Sequence, residues 1–300
     1  MMIKHIGIVA LGALSYGMLS SFAKIAYMQG YNAGEITFAQ AFIGAFILWA
    51  FVLFRVVKNK SLKLIGNWKL LLAGTSMGVT AYTYYLSVEY IPASLAIVLL
   101  MQVTWMSILA EWIFFKKKPS SIQITSTCFL FIGTILAGDF LNTDNVDLSL
   151  LGILLAILSA LLYTLYVLFT SKLGNDVPMF EKSALMTTGS ALMILLINLK
   201  SITTSHHFDV GLLQWGIFLA IFGTVIPPIC FTTGMPKVGP GISSILITLE
   251  LPAAVFCAHI ILHEQVVPLQ VVGILIMLIS IIYLNLATTK KEKRLKAKVI

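Results

Sequence analysis

The chain has 300 residues, of which 59% are hydrophobic and 11% charged, and its mean hydropathy is +0.96. Soluble domains are about 25% charged and about 45–50% apolar, so a soluble enzyme, a disordered chain and a coiled coil are excluded and an integral membrane protein remains. The net charge of +8 would suit nucleic acid only if it were not explained by where the charges fall along the chain.

A helix that crosses the hydrocarbon core needs about 20 apolar residues. Ten stretches meet this in chain order: 6–27, 36–55, 68–88, 93–114, 121–138, 149–171, 180–199, 212–233, 241–262 and 267–287. Polar or turn-forming segments separate them, such as MQGYNAGE at 28–35, KKKPSS at 116–121 and SKLGNDVP at 171–178. Pro92, Pro119, Pro240 and Pro268 stand at or near first-turn positions, where a missing N–H costs nothing. The first stretch follows Lys4 and His5, as a signal peptide would, but it is longer than a usual signal core and no clean small-residue cleavage site follows. The loops are short, which leaves no room for a soluble domain. Cys128, Cys230 and Cys257 lie in apolar runs without CxxC spacing and read as small buried hydrophobes.

Alternating the ten spans puts 18 of the 20 basic residues on one side; only Lys24 and Lys200 fall on the other. Positive charge marks the cytoplasmic side, so both termini are expected in the cytoplasm. The excess positive charge is thereby topological, and the basic tail 289–300 reads as a lipid-headgroup signal, with no nucleic-acid partner expected. Eleven of the twelve acids fall at the surfaces. The twelfth, Glu250, lies about ten residues into the ninth span.

The sequence also matches itself at an offset of 147. Tyr16 meets Tyr163, Trp68 meets Trp215 and Gln123 meets Gln270, together with many aliphatic pairs. Each unit holds five spans, an odd number, so the second enters the membrane from the opposite side. The expected fold is all-α integral membrane, with ten transmembrane helices as two inverted five-helix repeats, 1–139 and 148–288. Such repeats are common in secondary transporters.

The segment GPGISSILITLELPAAVFCAHIILHEQVVPLQVVGILIMLISIIY (239–283) resembles the second repeat of EamA-type transporters in the drug/metabolite transporter superfamily. A weaker copy, YIPASLAIVLLMQVTWMSILAEWIFFKKKPSSIQ, occupies 90–123. Lys117 stands where the repeat puts Glu264, and Gln40 stands in a span where family members often have Arg. The resemblance implies a ten-helix secondary transporter in a bacterial inner membrane, commonly an exporter of amino acids or related compounds.

Glu250 is the leading site residue, because an ionisable group at bilayer depth is costly unless paired or solvated. It reads as a binding or proton-coupling group, against a structural hydrogen bond near Pro227-Pro228. Tyr16 and Tyr163 occupy equivalent mid-depth positions where repeat transporters place their sites, against ordinary packing. Gln102 and Trp105 stand at the same depth in the fourth span. The cavity is expected among the first, third and fourth spans and their partners, the sixth, eighth and ninth. Tyr82, Tyr84 and Tyr85 suit interface anchoring, with one of them able to line the outer mouth. Lys24 suits snorkelling, and Glu111 suits pairing with the adjacent lysines. His259 and His263 have metal-compatible spacing but lack further ligands, so neither metal nor cofactor is expected. Gly74 and Gly78 form a GxxxG for close packing within or between chains, leaving monomer and homodimer both open. A membrane enzyme would need convergent catalytic groups that the spans lack; a lipid flippase of the same fold is the closer rival.

Overall fold

In hydrocarbon a backbone N–H or C=O without a partner costs several kcal/mol, so a chain this apolar must hydrogen-bond to itself. The computed structural model describes residues 2–59, 68–91, 93–137, 149–204, 209–263 and 266–297, and among these there is helix and no strand. Pro92, Glu264, Lys60, Lys63, Lys298 and the acids Asp139, Asp144 and Asp147 lie outside the described residues.

The helices are α1 (Met2–Gly17), α2 (Leu19–Met28), α3 (Ala33–Asn59), α4 (Trp68–Tyr90), α5 (Ala93–Leu100), α6 (Val103–Phe115), α7 (Ser121–Ala137) and α8 (Leu150–Lys172). They continue with α9 (Met179–Thr204), α10 (Val210–Leu219), a π-helical segment (Ala220–Val225), α11 (Ile226–Val238), α12 (Pro240–Ile247), α13 (Glu250–Leu262) and α14 (Pro268–Ala297). Among the described residues, seven stretches are long and apolar enough to cross a membrane: Ile3–Met28, Ala33–Lys58, Leu95–Phe115, Leu150–Lys172, Met179–Leu199, Val210–Val238 and Pro240–Leu262. Ser121–Ala137 and Pro268–Leu284 are apolar but shorter. The α4 helix has the length but is more polar, since Thr75, Ser76, Thr80, Thr83 and Ser87 each return a hydroxyl to a carbonyl of their own helix. The protein is therefore a multi-pass, all-α membrane protein. Phe46, Phe54, Leu196 and Ile279 present large apolar side chains outward, as a lipid-facing surface requires.

Several spans are interrupted, and the causes are local. Pro227 and Pro228 have no N–H to return to Gly223 and Thr224, and the wide π turn just before them absorbs this. Pro252 likewise has none for Thr248. The α12–α13 junction opens there, and the Thr248 carbonyl takes the Leu251 N–H at 3.2 Å instead. The α5–α6 junction opens 147 positions earlier without a proline. Here the Gln102 N–H turns to Leu99 O, and the Gln102 side-chain Nε2 donates to the deserted Val98 carbonyl at 3.1 Å. The first span breaks at Met18, where Gly17 lets the backbone carbonyl of Glu250 approach closer than any side chain would allow.

Caps fix the helix ends. Asn32 and Glu35 satisfy each other's backbone N–H groups before α3. Gln123 accepts from the Ser120 N–H at 2.9 Å and Gln270 from the Val267 N–H at 3.1 Å, so the glutamine pair noticed in the sequence caps α7 and α14. Lys116 and His263, also 147 apart, both end their helices with positive φ, at 55° and 54°.

The long seams join residues of the first half to residues of the second. The α4 helix lies against α8 and α9, α1 against α11, α3 against α9 and α10, α6 against α12, and α7 against α14. Small residues permit these contacts. Gly74 and Gly78 of α4 sit on the carbonyls of Met186 and Ser190 in α9, and Gly189 of α9 sits on that of Leu71. The GxxxG thus works within the chain.

Candidate functional site

A cavity of about 980 Å³, mouth included, lies in the middle of the bundle. Glu250 reaches it as the first residue of α13, beside the break that Pro252 imposes. Across it, α8 brings Tyr163, whose hydroxyl donates to Glu250 Oε1 at 2.5 Å. Both side chains are buried, at 6% and 2% exposed. Tyr16, at the end of α1, lines the same space, with its ring 5.7 Å from that of Phe231. Tyr166 is stacked obliquely behind Tyr163 at 6.1 Å, and Tyr84 and Tyr85 close the wall from α4.

The cavity runs from Tyr163 and Glu250 toward the end of the bundle that carries the α2–α3 turn, past Ser20, Thr37 and Ile194. At the opposite end the interior is filled by Leu70, Phe231, Met235 and Val238. Polar ties brace that end. Arg55 pairs with the fully buried Glu181. Lys182 donates to Thr170 O at 2.7 Å. Glu111 accepts from Lys117 at 2.9 Å and from the Gly241 N–H at 3.1 Å, joining α6 to α12. At the open end Tyr31 donates to Asp209 at 2.7 Å. The backbone N–H of Leu212 and the Tyr31 hydroxyl hold the Asp209 carboxyl below its usual range.

Of the residues singled out in the sequence, the structure brings Tyr16, Tyr163 and Glu250 together around the cavity, with Tyr84 and Tyr85 beside them. Gln102 and Trp105 do not line it. They bind each other, Trp105 Nε1 donating to Gln102 Oε1 at 2.8 Å, and Trp105 is 42% exposed on the outside of the bundle. Set against the structural alternative of a hydrogen bond near Pro227-Pro228, the bond seen at Glu250 is the one from the Tyr163 hydroxyl. The second and seventh spans, α3 and α9, also line the cavity through Gln40, Thr187 and Ser190. The sequence signal for them was a set of polar residues on apolar helices at spacings of three and four. Among the described residues no three His, Cys, Asp or Glu converge as metal ligands. A second cavity, of about 650 Å³, shares Ser20, Tyr84 and Ile97 with the first and holds Lys24 and Gln270.

A polytopic helical bundle with a central, mainly apolar cavity that holds a few polar groups fits the class of membrane transport proteins. Within that class, the sequence matches the EamA-like transporter family over residues 3–138 and again over 150–286, and the chain belongs to that family. "Uncharacterized transporter YcbK" of Bacillus subtilis (strain 168) is 22% identical over 293 residues, covering 94% of each chain. "Uncharacterized transporter sll1319" of Synechocystis sp. is 24% identical over 226 residues, 73% of this chain and 66% of the relative. A solved crystal structure shares the fold with a TM-score of 0.76 at 12% identity, covering 95% of this chain and 98% of that one.

Proposed function

We propose that the protein is a secondary transporter that exports small metabolites, such as amino acids or related compounds, across a bacterial cytoplasmic membrane by alternating access. The observation that carries this reading is the central cavity, closed by packing at one end and holding the Tyr163–Glu250 pair at its floor. The reading has ten membrane-crossing helices in two inverted units, 1–139 and 148–288, with both termini and the tail 289–300 cytoplasmic. Breaks at 101–102 and 248–249, left-handed caps at Lys116 and His263, and two family matches in tandem all support the duplication. With that orientation the cavity faces outward.

Because the long seams cross between the units, the rocking bodies are not the units themselves. They are bundles that mix helices of both units, since α4 packs on α8 and α9, α3 on α9 and α10, and α1 on α11. Inward opening then requires release of Glu111 from Gly241 and of Glu181 from Arg55. Glu250 is the candidate proton carrier, with exchange or facilitated diffusion as the uncoupled alternatives. Flux in proteoliposomes with and without a pH gradient, compared for the wild type and Glu250→Gln, tests this. Unchanged pH-gradient dependence in the variant removes Glu250 as the carrier, and saturable flux only in the inward direction overturns export.

A lipid or lipid-linked flippase is the second reading. The cavity between α2 and α13, adjoining the central one, favours it. Fluorescent-lipid translocation in the same vesicles distinguishes the two.

A further inference from the structure

We infer that the ligand of the central cavity is a monovalent organic ammonium ion, an amine carried on an apolar or aromatic body. The inference rests on the transporter reading for its purpose and, of the metabolites proposed there, sets amino acids aside in favour of related amines that carry a positive charge only. Its chemistry comes from the lining. Among the described residues, that lining contains one carboxylate, Glu250, and no Lys, Arg or His. Lys24 lines the neighbouring cavity. A charge in an apolar interior needs a counter-charge, and the cavity offers a negative one only.

The hydrogen-bond inventory points the same way. Glu250 Oε1 is occupied by the Tyr163 hydroxyl, while Oε2 accepts no hydrogen bond among the described residues. Gln40 is 9% exposed and lines the same space from α3, and its buried Oε1 has no partner. Its amide packs on Gly223, where an added Cβ would lie 2.5 Å from Gln40 Nε2 and 2.6 Å from Leu19 Cδ1. Acceptors without a protein donor suit a ligand that brings N–H donors, which a protonated amine supplies. Tyr16, Tyr84, Tyr85 and Tyr166 line the same cavity among aliphatic and hydroxyl side chains, and their flat faces suit an apolar body and the cation itself. A carboxylate in this cavity would meet Glu250 with no cation to balance either charge. This disfavours free acids and also the carboxylate of a zwitterionic amino acid.

The test uses three probes that share a phenyl ring on a short chain and differ in charge: 2-phenylethylamine, L-phenylalanine and 3-phenylpropionate. Binding is read as ligand-dependent thermal stabilisation of the purified full chain in detergent, and transport as counterflow in proteoliposomes. The amine is expected to bind saturably, with the other two weaker by roughly tenfold or more, the scale of one charge-assisted hydrogen bond. Glu250→Gln is expected to weaken the amine by a similar factor, and Gln40→Leu by several-fold. If Glu250→Gln does not purify as a folded protein, the ranking of the three probes on the wild type decides. Equal or tighter binding of phenylalanine or phenylpropionate, absence of amine binding, or amine binding unchanged in Glu250→Gln overturns the inference. Amine binding without counterflow upholds it and overturns the transporter reading. Counterflow of the anion in preference to the amine overturns the inference and leaves the transporter reading standing.

Discussion

The seam between α4 and α9 can be tested with a single methyl group placed at two positions. A Cβ on Gly74 would overlap the O, C and Cα atoms of Met186. All three are backbone, so no rotamer change relieves the clash and the helices must part. Parting them also loosens the contacts of Gly78 with Ser190 and of Gly189 with Leu71 along the same seam. Overpacking of this kind costs about 1–3 kcal/mol, and the immobility of the backbone puts Gly74→Ala at the upper end. Gly7, in α1, has nothing within 4 Å of where its Cβ would lie. There the same substitution gains about 0.5–1 kcal/mol from the better helix propensity of Ala. Thermal unfolding of both variants in one detergent should therefore separate them by roughly ten degrees, at about 2–4 °C per kcal/mol for a chain of this size. Equal melting temperatures for the two variants would refute the close approach of α4 and α9.

Three further outcomes follow from the polar ties. Glu111→Ala, which strands the Gly241 N–H as well as Lys117, should cost about 1.5–3 kcal/mol. Lys117→Ala, at a side chain 57% exposed, should cost only about 0.2–1 kcal/mol; equal losses in thermal melts would contradict the role given to Gly241. Gln102→Leu leaves the buried Val98 carbonyl without a donor and should lower stability by about 1–3 kcal/mol while leaving substrate KM unchanged; a raised KM would place Gln102 in the site after all. The depressed Asp209 carboxyl contributes stability that is present above its unfolded value and lost as pH falls through its lower folded value, below about 4. Asp209→Asn should therefore show a smaller drop in melting temperature than the wild type across that acid window, and an identical drop would count against the Tyr31–Asp209 contact.

Depth in the membrane was legible in the sequence, because it depends only on distance along a helix from a polar end. That is why Glu250, Tyr16 and Tyr163 could be singled out and do share one cavity. Azimuth was not legible. Gln102 and Trp105 stand at the same depth, yet they lie off the cavity and hydrogen-bond each other, a facing set by how α6 packs on α8 and α12. Gln40, Thr187 and Ser190 face inward only because α3 packs on α9 and α10, a contact between distant segments. The offset of 147 told more than a count of matches suggests. Gln123 and Gln270 proved to be caps, and the shared positions of the breaks emerged only when hydrogen bonds could be traced.

The duplication also separates what the fold needs from what the cavity adds. The helix opens at 101–102 in the first unit and at 248–249 in the second, so the opening belongs to the scaffold. In the first unit it forms without an acid and without a proline: the position equivalent to Glu250 is Val103, fully buried, and the one equivalent to Pro252 is Trp105. Glu250 is therefore not required to make the break it follows. A buried carboxylate in a bilayer costs about 2.5–3.5 kcal/mol on insertion scales, and the first unit avoids that cost while keeping the same turn. The tyrosines, by contrast, are duplicated, Tyr16 and Tyr163 meeting at one cavity from both units. A symmetric aromatic frame with a single charge on one side has room for one polar end of a ligand and one apolar end. In the proposed reading, the asymmetry between Glu250 and Val103 is thus the feature that would orient the ligand.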